Sequence, residues 1–308
     1  MHDRPAMTDT LRGLLAVAFW STTVAVSRDV IQQMGVLNAA FFLLLGSGLF
    51  LCVLQMIPNP GAFISRLKHL PLSYLRRAGI FLILYMIAFY LALGLASSIT
   101  ALLVVGLINY LWPAFGFILS IPLLKKNPRI TLLVAGILSA VTGTVLALLS
   151  RPGLDPEDLF ASPGENLPAY LLALVAAVLW GLYSNMTRRY RTRGDPAALP
   201  LLFLMSGLVI LGVILIGGRG PRLDLPLSHI PAFGYMVIFP TSLAYHFWDR
   251  AMKQGDKDLV MAAAYLIPLF STLVTLIYYS ARLTLNLLLA AGLIVLGAVF
   301  SHRSVSRS

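Results

Sequence analysis

"GLINYLWPAF" (Gly106–Phe115) lies inside 47 consecutive residues, 78–124, that carry no formal charge. A membrane-crossing helix needs about 20 apolar residues, so this run is too long for one span and right for two. The turn between them falls at Ala96-Ser97-Ser98-Ile99-Thr100, where hydroxyls can take up the freed backbone hydrogen bonds. Asn109, Tyr110, Trp112 and Pro113 then sit near the middle of the second span. Lipid contact alone calls for none of these residue types at mid-bilayer.

The composition fixes the class. The chain of 308 residues is 58% hydrophobic and 11% charged, against about 45–50% and 25% for ordinary globular domains. It is read as an all-α polytopic membrane protein. A β-barrel is excluded, since barrel strands are roughly ten-residue alternating segments and not long apolar runs. Reading between charges predicts ten helices, near 12–30, 36–57, 78–97, 99–122, 130–149, 168–188, 197–217, 230–250, 258–279 and 284–301.

Basic residues test that count, because they concentrate in cytoplasmic loops. Only Arg28, Arg151, Arg219, Arg222 and Arg282 of the 23 Lys and Arg fall on one side of the ten predicted spans; the other 18 fall on the other side. Ten spans with both termini cytoplasmic is the expectation. The net charge of +11 is therefore a property of short loops and not of a nucleic-acid surface. Arg4 and Arg12 ahead of an apolar stretch mimic a signal peptide, but no clear small-residue cleavage site follows, so helix 1 is read as retained. Cys52, the single cysteine, lies within a span and builds no disulfide framework.

The chain repeats itself. "LLAVAFW" (14–20) aligns with "LVAAVLW" (174–180) at an offset of 160, which also brings Arg28 onto Arg188. At an offset of 155, "YLWPAF" (110–115) meets "YLIPLF" (265–270), Tyr90 meets Tyr245 and Ala96 meets Ala251. Residues 1–150 and 151–308 are thus read as two five-helix copies. Five is odd, so the second copy enters the membrane from the opposite side. Inverted repeats of this kind place a substrate near the midplane between the halves of secondary transporters.

At that depth the sequence puts Trp20, Trp112 and Trp180, whereas Trp248, at the inner end of its helix, reads as an interfacial belt residue. Asn109 and Trp112 are three apart and share a helix face. Pro113 lacks the N–H that would bond the Asn109 carbonyl, and Pro268 does the same to Ala264, which predicts a kink or gating point in each half. Tyr85, Tyr110 and Tyr183 extend the aromatic lining. Ser21, Thr22, Ser184 and Asn185 are compatible with helix packing. Asn109 itself stays open between interhelical contact and substrate contact.

No Asp, Glu, Lys or Arg lies deep in a predicted span, and the nearest acids, Asp29 and Asp249, stand at helix ends. Intramembrane carboxylates mark proton or cation coupling, so a facilitator or exchanger of neutral or zwitterionic solutes is favoured over a proton symporter. His246 is read as a packing residue. The loop with Asp155, Glu157, Asp158 and Glu165 lacks EF-hand spacing and reads as solvated. No metal site and no cofactor is expected. An intramembrane enzyme has no HExxH, GxSxG, Walker A motif or buried carboxylate pair to work with. A channel would need a continuous polar line, and only scattered hydroxyls are present.

Two inverted five-helix copies, each with Y-L-x-P-x-F in its fourth helix and a tryptophan within its first, resemble the drug/metabolite transporter superfamily. "FWSTTVAVSR" (19–28), "LYMIAFYLALGLA" (84–96) and "GLINYLWPAF" narrow the resemblance to its bacterial aromatic amino-acid exporters. The resemblance implies export of aromatic and other neutral amino acids across the bacterial cytoplasmic membrane, by alternating access through a central cavity, in a monomer. Export of drugs or other small metabolites is the alternative. Tyr85, Asn109, Tyr110, Trp112 and Trp180 match the family's aromatic and amide positions. Many members carry an acid where the fifth and tenth helices begin; this chain has Lys125-Lys126-Asn127 and Ser280-Ala281-Arg282.

Overall fold

The computed structural model describes residues 6–149, 165–191, 195–278 and 285–305, which contain helices and no strand. In chain order the long rods are α1 (Met7–Met34), α2 (Val36–Met56), α3 (Leu72–Leu95), α4 (Ile99–Asn109 and Trp112–Leu124), α5 (Ile130–Leu149) and α6 (Leu167–Arg189). They continue with α7 (Ala198–Ile216), α8 (230–254), α9 (257–278) and α10 (Leu285–Val305). Eight of them are long and apolar enough to cross a membrane; α1 and α8 are comparably long but less apolar.

Local chemistry sets the ends. Gly35, at φ +73°, is the only non-helical residue between α1 and α2. Ser98 caps α4 by accepting the Ala101 N–H at 3.0 Å, and Asp256 caps α9 through the Leu259 N–H at 3.0 Å. The acidic loop lies outside the described residues except for Glu165, as do Ser280-Ala281-Arg282.

Three expectations need correction. The fourth helix is not continuous over 99–122: it breaks at Tyr110–Leu111, and Pro113 is the second residue of the new segment. Likewise α9 passes through a 3-10 turn, Ala264–Leu266, and Pro268 is the second residue of Ile267–Tyr278. A first-turn N–H has no intrahelical partner to lose, so each proline starts a half-helix instead of kinking a whole one. The eighth rod reaches Gln254 and contains a π segment, Val237–Leu243, around Pro240. The charges at its end are also not solvent-facing, because Asp249 and Lys253 are buried.

Side-chain size sorts the faces. Along α6, Leu167, Leu171, Leu174 and Val175 point outward, while Ala169, Ala173, Ala176, Trp180, Gly181 and Asn185 are buried. Large aliphatic groups outside and small or polar groups inside is the pattern of a helix solvated by lipid, where packing and not hydrophobicity drives association. The seam of α5 with α10 shows it most tightly. A Cβ on Gly297 would stand 2.6 Å from the Ala140 backbone nitrogen, and one on Gly136 would stand 2.7 Å from the Ser301 nitrogen.

The rods pair as α5 with α10, α2 with α7, α3 with α6 and α1 with α8; α4 also packs on α6 and α9 on α1. One end of the protein gathers Ala6, whose N–H donates to Gln254, Lys126 with Asp258, Arg129 with Ser304, and Arg188 with the carbonyl of Lys253. The opposite end joins Asn38 to Arg222 and Ser97 to Asn166.

Candidate aromatic substrate site

Each tryptophan of the chain touches the other three. Ring centroids lie 5.5 Å apart for Trp20 and Trp180, 6.4 Å for Trp20 and Trp112, and 6.0 Å for Trp112 and Trp180. Trp248 stands 5.3, 5.1 and 5.9 Å from Trp20, Trp112 and Trp180. Four helices (α1, α4, α6 and α8) therefore each supply one indole to a single cluster between the two halves of the chain. Most contacts are edge-to-face, the arrangement that ring quadrupoles favour.

Of the residues singled out from the sequence, Tyr85 adds its ring at 4.8 Å from Trp180, and Tyr183 adds its own at 5.4 Å from the same indole. Asn109 is buried at the end of the first α4 segment and interacts with the Tyr85 hydroxyl. Tyr110 packs on the edge of this core, also within electrostatic reach of Tyr85. Pro113 is buried directly after Trp112. Pro268 is buried away from the indoles, its carbonyl accepting from the Thr272 hydroxyl at 2.8 Å; its neighbour Tyr265 stacks on Phe117.

The belt reading of Trp248 is overturned. It is fully buried, and its indole N–H donates to the Ser184 hydroxyl at 3.1 Å. Tyr245, one turn earlier on α8, is a further residue that the sequence reading left out. Its ring lies 5.2 Å from both Trp20 and Trp180. The match of Tyr90 with Tyr245 between the repeats was the signal available, since Tyr245 and Trp248 are three apart and share a face.

Hydrogen bonding divides the cluster. Trp20 donates to the carbonyl of Pro240 at 2.9 Å, reaching the π segment of α8, and Trp248 is satisfied by Ser184. The Trp180 indole nitrogen and the Asn109 side-chain oxygen are buried without a partner. An orphaned donor and an orphaned acceptor in an apolar setting each cost free energy until a ligand meets them. Tyr85, touching Trp180 on one side and Asn109 on the other, joins the two.

The packing residues behave as expected. Ser21 and Thr22 bond the carbonyls of Val17 and Phe19, and Asn185 bridges α6 to α4 by donating to the Gly116 carbonyl at 2.9 Å. His246 is half-buried beside Phe247, outside the tryptophan cluster. Among the described residues no group of His, Cys, Asp and Glu is placed to hold a metal ion.

The chain resembles known transporters over nearly its full length. It is 26% identical over 298 residues, 97% of this chain and 98% of the relative, to the aromatic amino acid exporter YddG of Salmonella typhimurium. It is 31% identical over 214 residues, 70% of each chain, to the aromatic amino acid exporter YddG of Ancylobacter novellus. A solved crystal structure 25% identical in sequence superimposes with a TM-score of 0.77 over 97% of this chain and 98% of the other. The EamA-like transporter family model matches residues 10–149 and again 167–303. With almost the whole described chain matched, this protein is a multi-pass membrane transporter, not an enzyme, and belongs to the EamA-like transporter family.

Proposed function

We propose that this protein exports aromatic and other neutral amino acids across a bacterial cytoplasmic membrane by alternating access around the tryptophan cluster. One observation carries the reading: an unpartnered donor, Trp180 Nε1, and an unpartnered acceptor, Asn109 Oδ1, are buried beside the same ring, Tyr85. A zwitterion brings a carboxylate for the first and an ammonium for the second. Its side chain then rests on Trp20, Tyr85, Trp112 and Trp180, with Tyr110 and Tyr183 at the margins. Aromatic pairs add about 0.5–1.5 kcal/mol each beyond burial, so the selectivity is broad across aromatic side chains. The similarity to aromatic amino acid exporters supports this substrate class.

The architecture that goes with it is ten spans in two inverted five-helix repeats, 1–150 and 151–308, with both termini cytoplasmic. In support, the family model matches twice. Exchanging the halves also maps the helix pairings onto themselves, α3 with α6 onto α8 with α1 and α4 with α6 onto α9 with α1. Finally, α1 begins and α6 ends at the same end of the protein, through Thr10 with Asp256 and Arg188 with Gly255. The half-helices that start at Trp112 and Ile267 give each repeat a joint near mid-span.

Counterflow in proteoliposomes across a panel of amino acids tests the function. Accelerated exchange of tryptophan, phenylalanine and other neutral amino acids is expected. Transport of an organic cation with no amino-acid exchange would replace the reading by a drug exporter.

A further inference from the structure

Beside the tryptophan cluster, towards the end where α1 begins, lies an ion pair that the site above does not use. Lys253 Nζ donates to Asp249 Oδ2 at 2.6 Å, and the two residues are only 5% and 3% exposed. The other carboxylate oxygen accepts from the Tyr183 hydroxyl at 3.1 Å and the Tyr74 hydroxyl at 3.3 Å. The ammonium also stands 5.0 Å from the centre of the Tyr74 ring. Tyr183 also packs at a tilt against Trp180, and Trp248 directly precedes Asp249, so the pair abuts the aromatic cluster.

Stability does not explain this arrangement. Burying two charges costs a desolvation penalty that their mutual attraction repays only in part, and a well-packed apolar pair is often as stable. A purely cationic or anionic ligand entering here would strand one of the two charges. A zwitterionic amino acid would not: its ammonium can take Asp249 while its carboxylate takes Lys253, every charge keeps a partner, and no net charge enters the protein. Arg188 meanwhile holds the backbone carbonyl of Lys253 at 2.8 Å, which fixes the helix while the lysine side chain swings.

We propose that Asp249 and Lys253 form a receptor for the zwitterionic headgroup of the substrate. It is engaged when the protein opens at this end, before the headgroup passes to Asn109 and Trp180. The pair seals itself when the substrate leaves. This inference rests on the amino-acid transport reading and adds the residues that discriminate zwitterions from simple ions.

Competition against labelled tryptophan counterflow tests it, with tryptamine, which lacks the carboxylate, and indole-3-propionate, which lacks the ammonium. In the wild-type protein unlabelled tryptophan is expected to compete about tenfold or more better than either analogue, one buried charge pair's worth of discrimination. In D249N/K253Q that ratio is expected to fall by about threefold or more, the discrimination that remains being that of Asn109 and Trp180. Where that variant fails to fold, D249L/K253M, an apolar pair of similar bulk, is read the same way. A wild-type protein without the preference, or a folded variant that keeps it undiminished, overturns the inference. Absence of any tryptophan flux in the wild type removes the transport reading instead, and the receptor with it.

Discussion

Trp20 and Trp180 fall at matching positions when residues 14–20 are aligned with 174–180, and their indoles cross edge to face with centroids 5.5 Å apart. The two are not equivalent, however. Trp20 spends its N–H on the carbonyl of Pro240, while the Trp180 N–H is buried with no acceptor. Sequence symmetry brings the rings together, and the π segment of α8 breaks the symmetry of their hydrogen bonds.

The first prediction uses that difference. Trp180→Phe keeps an aromatic ring against Tyr85 and removes the orphaned donor together with one ring of the indole. A hydrogen bond to a charged group is worth about 1.5–3 kcal/mol, so the apparent affinity for tryptophan should drop by about tenfold or more. Thermal unfolding in detergent should change less than in a Trp180→Ala variant, because an aromatic ring stays in place and no hydrogen bond within the protein is lost. An unchanged affinity in counterflow would take Trp180 out of headgroup binding.

Trp248 gives the second. A belt tryptophan at the membrane surface is replaceable, whereas a buried Trp→Ala exchange costs about 3–5 kcal/mol. With three indole contacts and the Ser184 hydrogen bond, Trp248→Ala should lower the unfolding midpoint strongly. A midpoint within experimental error of the wild type would return Trp248 to the surface.

Trp248 also marks where the sequence stops being legible. The long apolar runs place the membrane class and carry Trp20, Trp112 and Trp180, because such signals are local and continuous along the chain. The segment 244–254 carries His246, Asp249, Arg250 and Lys253 and reads as leaving the membrane. Asp249 and Lys253 are instead paired inside the protein, and Arg250, partly exposed, pairs with Asp9. Their partners come from distant segments or from the turn of the same helix facing inward, and no local pattern reports that. Lys126, ahead of the fifth helix, likewise takes its acid from a distant segment, pairing with Asp258 of α9 at 3.0 Å. The α4 break before Pro113 was half-legible: proline announced a discontinuity, and only packing fixes on which side of Trp112 it falls.

A third prediction concerns the approach of α6 to α4 beneath the site. A Cβ on Gly181 would meet the Gly116 nitrogen at 3.1 Å and the Phe115 carbonyl carbon at 3.2 Å, both backbone atoms that cannot swing aside. Gly181→Val should cost about 1–3 kcal/mol by overpacking and separate Asn185 from the Gly116 carbonyl. Reduced tryptophan exchange together with a lower unfolding midpoint is expected, with Gly181→Ala milder in both. A valine variant as stable as the wild type would show that the two helices have room to part.

The last prediction addresses how the end near Asp9 opens. Asp9 Oδ1 accepts from Arg12 at 2.6 Å and from Arg250 at 2.9 Å, tying α1 to α8, while Thr10 receives the Asp256 N–H at 2.9 Å. The Arg250 and Asp256 contacts join α1 to α8 and to the turn that follows it, so the proposed alternating access requires them to break. The arginines are partly exposed, and such pairs are worth about 0.5–1 kcal/mol each. Arg12 lies on α1 with Asp9, so only the Arg250 pair opposes opening, and Asp9→Asn should shift the equilibrium towards opening at this end by about two- to fivefold. Ser184, fully buried where it accepts the Trp248 N–H, is a sensitive reporter: in a Cys52→Ser background, Ser184→Cys labels only when this end parts. A membrane-impermeant thiol reagent added from the Asp9 side should react faster in the Asp9→Asn variant by that same factor. Addition from the opposite side should not speed up. Equal labelling with and without Asp9 would mean that the ion pairs decorate this end without holding it shut, and that the closure resides in the apolar contacts beneath them.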